Sequence, residues 1–145
     1  MFVDATAFVP GHVERARICV LGSGPAGMTL ASKLARRGHD VLLAEAGGLH
    51  YEDASQDLYR GRVVGDPYFD LTETRLRMFG GSSGHWGGAC HPLEPQDFAP
   101  RPARDGIGWP IGPEALDPHL AEACEFLGIA PSFENIDFAR DLRLT

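Results

Sequence analysis

An apolar run, Ile18-Cys-Val-Leu21, leads straight into Gly22-Ser-Gly24-Pro-Ala-Gly27, and a helix-forming stretch follows without a break. A second apolar run, Val41-Leu-Leu-Ala44, ends at Glu45. Strand, G-x-G-x-x-G turn, helix, strand and acid, in that order, make a βαβ half-unit for an ADP moiety. Gly22 permits the tight turn off the strand, Gly24 lets backbone approach a pyrophosphate, and Gly27 lets the helix pack close on the strand. The pyrophosphate then sits on the free N–H groups and positive end of the helix. Glu45 follows Gly27 by 18 residues, where a carboxylate accepts from both adenosine ribose hydroxyls and disfavours a 2′-phosphate. FAD or NAD is therefore expected rather than NADP. Ser23 and Pro25 in the turn, and Ala46-Gly47-Gly48 after the acid, lean toward FAD.

The flanks agree with a helix. Ala31, Leu34 and Ala35 form an inward face, and Arg36-Arg37-Gly38 ends the helix with basic residues and a terminating glycine. The implied fold class is α/β. It consists of a Rossmann-like FAD-binding βαβ unit with a long irregular excursion and a C-terminal helix.

The chain has 145 residues, 43% of them hydrophobic and 23% charged, with a formal net charge of −7. That is the composition of one globular domain, and the acidic balance without a basic stripe argues against a nucleic-acid partner. No apolar run approaches the roughly 18–20 residues that span a bilayer, and Met1 to Glu14 does not have the pattern of a secretory signal. Arg36-Arg37 lies inside the first helix and is not a twin-arginine leader. Cys19, Cys90 and Cys124 form no C-x-x-C, and a reducing, cytoplasmic compartment is expected. Cys19 in a strand and Cys124 on a helix are expected to be small buried thiols. Cys90-His91 has no second ligand pair at zinc spacing, so no metal is expected.

The chain divides into five segments: an N-terminal arm, 1–15; the ADP-binding βαβ unit, 16–48; an irregular flavin-contacting excursion, 49–112; a helix, 113–130; and an undetermined tail, 131–145. Two parallel strands, at 16–21 and 40–45, are too few for a sheet buried on both faces. The domain is therefore expected to be incomplete, needing a C-terminal remainder or a complementing chain. Within the excursion, acids at 52 and 53 start a short helix near Ala54–Tyr59. Prolines at 92, 95, 100, 102 and 110 mark a crossing anchored by Trp109. From Pro113-Glu114 onward, Leu116, Leu120, Ala123, Cys124 and Leu127 recur on one helical face.

The second informative segment is Arg75-Leu-Arg77-Met-Phe-Gly80-Gly81-Ser82-Ser83-Gly84-His85-Trp86-Gly87-Gly88. Its glycines exclude regular structure and let the backbone fold tightly around something. Ser82 and Ser83 offer hydroxyls to phosphate or ribitol oxygens. Arg75 and Arg77 can neutralise diphosphate or can be solvated surface cations. His85 and Trp86 sit where a flat ring system could be held.

Together, Gly22–Gly27, Glu45-Ala-Gly-Gly48, Phe79-Gly-Gly-Ser-Ser83, Gly108-Trp-Pro-Ile111 and the helix from Glu114 through Leu127 resemble the N-terminal part of glucose–methanol–choline (GMC) oxidoreductases. The resemblance implies FAD, with the ADP half on Gly22, Gly24, Pro25, Ala26, Gly27, Glu45 and Ala46. The flavin half would be approached by the loop that carries Gly81, Ser82, His85, Trp86 and Gly87, and Arg77 is a further cofactor-binding residue, read above as a diphosphate partner. It also implies oxidation of a C–OH group on a small-molecule alcohol or sugar, with hydride passing to the flavin. Trp86 stands where most members have asparagine, and Gly80–Trp86 is closer to the branch that includes pyranose 2-oxidase. In that branch the histidine before the tryptophan is bonded to the flavin; here it is His85. A covalent His85–FAD link and a His85 that only packs beside the ring both stay open, since Gly87 replaces that branch's threonine. The family's catalytic histidine pair lies near the end of the full chain and matches nothing here. No catalytic residue is therefore named, and the chain alone is expected to be inactive. Two alternatives stay open: a non-enzymatic truncated fragment, and an NAD-linked dinucleotide-binding oxidoreductase.

Overall fold

The structure is a computed structural model and describes residues 1–101 and 106–130. These fall into two compact units, the first ending at Gly87 and the second starting at Gly88. Pro102 and the expected tail, 131–145, lie outside the described residues.

The first unit is built on β1 (Ile18–Leu21), α1 (Pro25–Arg36) and β2 (Val41–Ala44). The strands pair in parallel, Ile18 with Val41 through Leu21 with Ala44, each a little shorter than the sequence implies. One bond beyond the pair, the Gly22 N–H donates to the Ala44 carbonyl at 2.8 Å. The first glycine of the turn is thereby fixed beside the end of β2, one residue before Glu45. Gly22 has φ 91°, a left-handed conformation that a side chain resists. Gly27 is held for a different reason. A Cβ there would lie 2.0 Å from the Gly22 carbonyl oxygen and 3.5 Å from the Val20 side chain. Only a glycine lets α1 come this close to the strand that feeds it.

Helix α1 ends as its sequence implies. Gly38 takes φ 82°, its N–H donates to the Ala35 carbonyl, and the His39 N–H reaches the Leu34 carbonyl at 3.1 Å. This paired closure satisfies carbonyls that the helix end would leave exposed. Ala31 is buried and Leu34 half-buried, while Ala35, at the last turn, is exposed.

One expectation is overturned. Cys19 is exposed, not buried. Side chains alternate across a strand, so Val20 turns toward α1 and is buried while Cys19 and Leu21 turn away. Among the described residues the sheet has two strands, and Leu21 keeps 80% of its surface open. On this face Cys19 and Leu21 are exposed, whereas their register partners Leu42 and Ala44 are half-buried.

After β2 the chain forms α2 (Asp53–Gln56), a 3-10 turn at Asp57–Tyr59 and α3 (Leu71–Thr74). Gln56, only 2% exposed, ties this stretch together. Its amide nitrogen donates to the carbonyls of Thr72 and Arg75, and its amide oxygen accepts from the Arg77 N–H at 2.9 Å. At Gly47 the backbones touch: a Cβ would lie 2.0 Å from the Arg77 carbonyl oxygen. The Phe79 N–H donates to the Gly48 carbonyl at 2.9 Å. The irregular excursion therefore returns to the end of β2. The N-terminal arm meets it there, with the Phe2 ring edge-on to Phe79 at 5.3 Å.

The second unit holds α4 (Pro95–Phe98), a 3-10 turn at Pro113–Ala115 and α5 (Asp117–Leu127). Phe98 is buried, and the Trp109 N–H donates to its carbonyl at 3.1 Å. The expected helix over 113–130 is shorter, because a proline ring clashes with the carbonyl four residues earlier. Pro118 therefore breaks the run and is accommodated in the first turn of α5. Cys124 is buried as expected, at 2% exposure. Gly128, at φ 69°, ends α5 with the same paired closure as α1.

Replacing Gly27 by alanine is expected to destabilise the fold by about 2–3 kcal/mol. The clash with Gly22 outweighs the roughly 1 kcal/mol by which alanine is the better helix former. Urea unfolding of the wild type and Gly27→Ala checks the sign; a more stable variant would show that the close approach is not maintained.

Candidate functional site

A cavity of about 510 Å³ opens in the first unit beside the Gly22–Gly24 turn, a size suited to a small-molecule ligand. Three segments far apart in sequence build it: Gly22 and Gly24 from the turn, Glu45 and Ala46 after β2, and Gly81 and Ser82 from the glycine-rich loop. Tyr59, Arg75 and Leu76 complete the wall with Leu21 and Ala44.

The loop is seated on the turn. A Cβ on Gly81 would lie 3.5 Å from the Gly24 Cα, and Gly81 itself takes φ 59°. Gly24 stands apart from the other two fingerprint glycines. Its φ is −63°, which any residue adopts, and a Cβ there would meet no protein atom within 4 Å. The fold itself makes no demand for glycine at this position. A ligand lying against the turn would, because a methyl group would project into the space it needs. Helix α1 starts here with no side-chain cap, so the first-turn amides offer donors to an anion.

Glu45 is already engaged. One carboxylate oxygen, Oε2, accepts from the Ser23 N–H at 2.8 Å and the Ser23 hydroxyl at 2.7 Å. The other, Oε1, accepts from the N–H groups of Ala46 at 2.8 Å and Gly47 at 3.0 Å. Four donors occupy the roughly four lone-pair positions of a carboxylate. Burial pushes the Glu45 carboxyl up, but the bonds from Ser23, Gly47 and Ala46 outweigh it and hold it below its ordinary 4.5.

Ser23 joins two motifs that the sequence shows separately. Its side chain is fully buried, at 0% exposure, and its Oγ also accepts from the Gly80 N–H at 2.9 Å. A single hydroxyl therefore links the dinucleotide turn, the acid after β2 and the glycine-rich loop. In the sequence Ser23 shows only as a turn residue that, with Pro25, leans the cofactor toward FAD. Its bonds span 22 and 57 residues, and no local pattern encodes them.

The remaining expected residues divide between the cavity wall and other positions. Ser82 lines the cavity; its hydroxyl accepts from the Leu76 N–H at 3.3 Å and retains a proton to donate. Ser83 turns its hydroxyl onto the Gly80 carbonyl at 2.6 Å. Of the two arginines, Arg75 lines the cavity, whereas the Arg77 guanidinium donates to the Ser55 hydroxyl at 2.9 Å. Pro25, Ala26, Gly27, Arg77, His85, Trp86 and Gly87 are not among the lining residues. His85 and Trp86 follow the 3-10 turn Gly81–Gly84 and are exposed, Trp86 at 50%. Tyr59 has no signature in the sequence, where one tyrosine in a polar stretch carries no signal. Among the described residues no cluster of His, Cys, Asp or Glu could hold a metal, and no helix is long and apolar enough to cross a membrane.

Fold and site together define a Rossmann-like dinucleotide-binding unit. Comparison with known proteins agrees: residues 20–54 match the family described as NAD(P)-binding Rossmann-like domain. The chain is 31% identical over 136 residues to 6'''-hydroxyparomomycin C oxidase of Streptomyces lividus, covering 83% of this chain and 24% of that protein. It is also 31% identical over 124 residues to paromamine 6'-oxidase of Streptomyces fradiae, covering 77% of this chain and 23% of that protein. The chain thus spans about a quarter of the length of these curated relatives. No solved structure matches.

Two outcomes are expected here. Gly24→Ala should change stability by no more than about 1 kcal/mol yet weaken ADP binding about tenfold or more, read by calorimetry. Equal binding would remove the ligand explanation for Gly24. Because the folded Glu45 titrates below its ordinary value, the unfolded chain takes up its proton first as the pH falls. The stabilisation from Glu45 is present above the ordinary value and lost as the pH drops through the depressed one. Glu45→Gln should therefore lose less stability than the wild type on going from about pH 6 to about pH 3. Parallel curves in thermal melts would show that Glu45 does not carry this dependence.

Proposed function

We propose that this chain binds the ADP half of FAD and forms the N-terminal portion of a GMC-type oxidoreductase that oxidises a C–OH group of a sugar or alcohol. The observation that carries the reading is the shared cavity wall: the fingerprint turn, the acid after β2 and the Gly80–Ser83 loop converge on one space. The likeness to two proteins named as oxidases supports the redox class, and sequence likeness alone supports the GMC assignment and its pyranose-oxidase-like branch.

The uncapped start of α1 would hold the pyrophosphate, with Gly24 giving it room and Arg75 balancing its charge. Glu45 would take the ribose hydroxyls by exchanging some of its present donors for them. Ser82 would turn its hydroxyl proton to the ligand. Flavin, when bound, supplies the acceptor for a hydride from the substrate carbon. His85, five residues after Gly80, belongs to the part of the loop nearer the flavin in this reading. It either bonds the ring or packs beside it. The base that takes the hydroxyl proton, and most of the substrate pocket, would come from a C-terminal remainder or a complementing chain. A reducing, cytoplasmic setting belongs to the same reading, supported by three cysteines that are all free.

Liquid chromatography in denaturing acid, with flavin absorbance and intact mass recorded together, tests this. Flavin travelling with the polypeptide, and becoming releasable in His85→Ala, is the result expected for a covalent link. Free FAD in the wild type would keep the FAD assignment and reduce His85 to packing. A colourless protein that takes up no added FAD, but binds NAD, would transfer the reading to a nicotinamide-linked oxidoreductase.

A further inference from the structure

The bond pattern at Ser23 carries more than a structural tie once the cavity is taken as a nucleotide site, and the coupling below rests on the proposed function. Glu45 has four protein donors on its two oxygens. A ribose brings two further hydroxyl donors to the same carboxylate, and the carboxylate has no lone-pair position left for them. Ligand binding at Glu45 must therefore displace bonds that the protein now makes. The Ala46 and Gly47 N–H groups follow Glu45 directly in the chain, and their aim is set by the local backbone. The Ser23 hydroxyl is the one donor of the four that turns on a single bond, so it is the one most readily given up.

That hydroxyl is also what holds the glycine-rich loop. While its proton points at Glu45 Oε2, its lone pairs face the Gly80 N–H at 2.9 Å. Donation to a carboxylate strengthens a hydroxyl as an acceptor, because linked hydrogen bonds polarise one another. A Ser23 hydroxyl displaced from Glu45 loses both this polarisation and the orientation that suits Gly80. We infer that Ser23 is a positioning residue that couples ribose occupancy at Glu45 to the Gly80–Gly84 loop. With Glu45 bonded to Ser23 the loop is tethered to the dinucleotide turn. With a ribose diol on Glu45 the tether weakens, and the loop settles onto the ligand. The first half of the cofactor to bind thus releases the segment that meets the second half.

The chain contains its own reporter. Trp86 lies two residues after the Gly81–Gly84 turn and is 50% exposed. The chain has two tryptophans, so Trp109→Phe leaves Trp86 alone to fluoresce. ADP is a suitable probe, since it carries the ribose and diphosphate but no flavin to quench emission. In the Trp109→Phe protein, ADP is expected to shift the Trp86 emission maximum. With Ser23→Ala added, the ligand-free emission is expected to move away from that of the ligand-free parent, because Gly80 has lost its tether, and the ADP-induced shift is expected to differ from the parent's although calorimetry still shows binding. A Ser23 that only stabilises the turn would lower the melting temperature and leave the ADP-induced shift intact, and that result overturns the coupling. If Ser23→Ala does not fold, Glu45→Gln in the same background tests the other half of the relay. Its ligand-free emission should depart from that of the ligand-free parent, because an amide polarises the Ser23 hydroxyl less than a carboxylate does, and emission equal to the ligand-free parent overturns the proposal. Absence of ADP binding to the parent protein overturns the nucleotide reading, and the coupling with it.

Discussion

The close approach of α1 to the turn that precedes it sets everything else in the first unit. With a Cβ at residue 27 only 2.0 Å from the Gly22 oxygen, helix and turn are in backbone contact. That contact fixes the angle at which α1 leaves the sheet, and therefore where the chain returns as β2. The return pairs Ala44 with Leu21, brings the Ala44 carbonyl onto the Gly22 N–H and leaves Glu45 at the mouth of the turn. A wider approach would move Glu45 away from Ser23, and with it the anchor of the glycine-rich loop. The geometry of the first unit thus depends on one missing methyl group.

Polar bonds inside the unit follow from this placement. Ser23 and Gln56 are its buried polar side chains, and each holds non-consecutive segments together. A buried hydroxyl or amide left without partners costs about 1–3 kcal/mol, so each also penalises arrangements in which its partners are elsewhere. Gln56 selects the path of residues 72–77, and Ser23 selects the seat of Gly80. An irregular excursion with few regular elements is given one course by two side chains.

What the sequence made legible is what depends on neighbours in the chain. The turn, the helix with its Gly38 closure and the two strands follow from local spacing, and all three stand as expected. Gly80 and Gly81 were legible as a tight loop, since both take positive φ. What was not legible depends on partners at long range. The roles of Ser23 and Gln56 appear only once residues distant in the chain have been brought beside them. The same limit explains the division between the arginines. Arg75 and Arg77 stand two apart in the sequence with nothing to tell them apart, yet Ser55 claims one of them. Cys19 departs from the expected burial because burial of a strand's second face is decided by whatever covers the sheet, and the strand itself does not encode that.

The exposed side of β1 has a chemical consequence. Cys19 sits on it beside Leu21, a free thiol open to solvent in the middle of an apolar strip. A thiol-directed label can reach it only while that strip is uncovered, and anything lying across the strands would shield it. Cys124, buried in the other unit, provides an internal standard that reacts only when the polypeptide opens. The relative rates of alkylation at these two positions form a covering gauge written into the native chain, one that reads the state of the sheet without altering a residue.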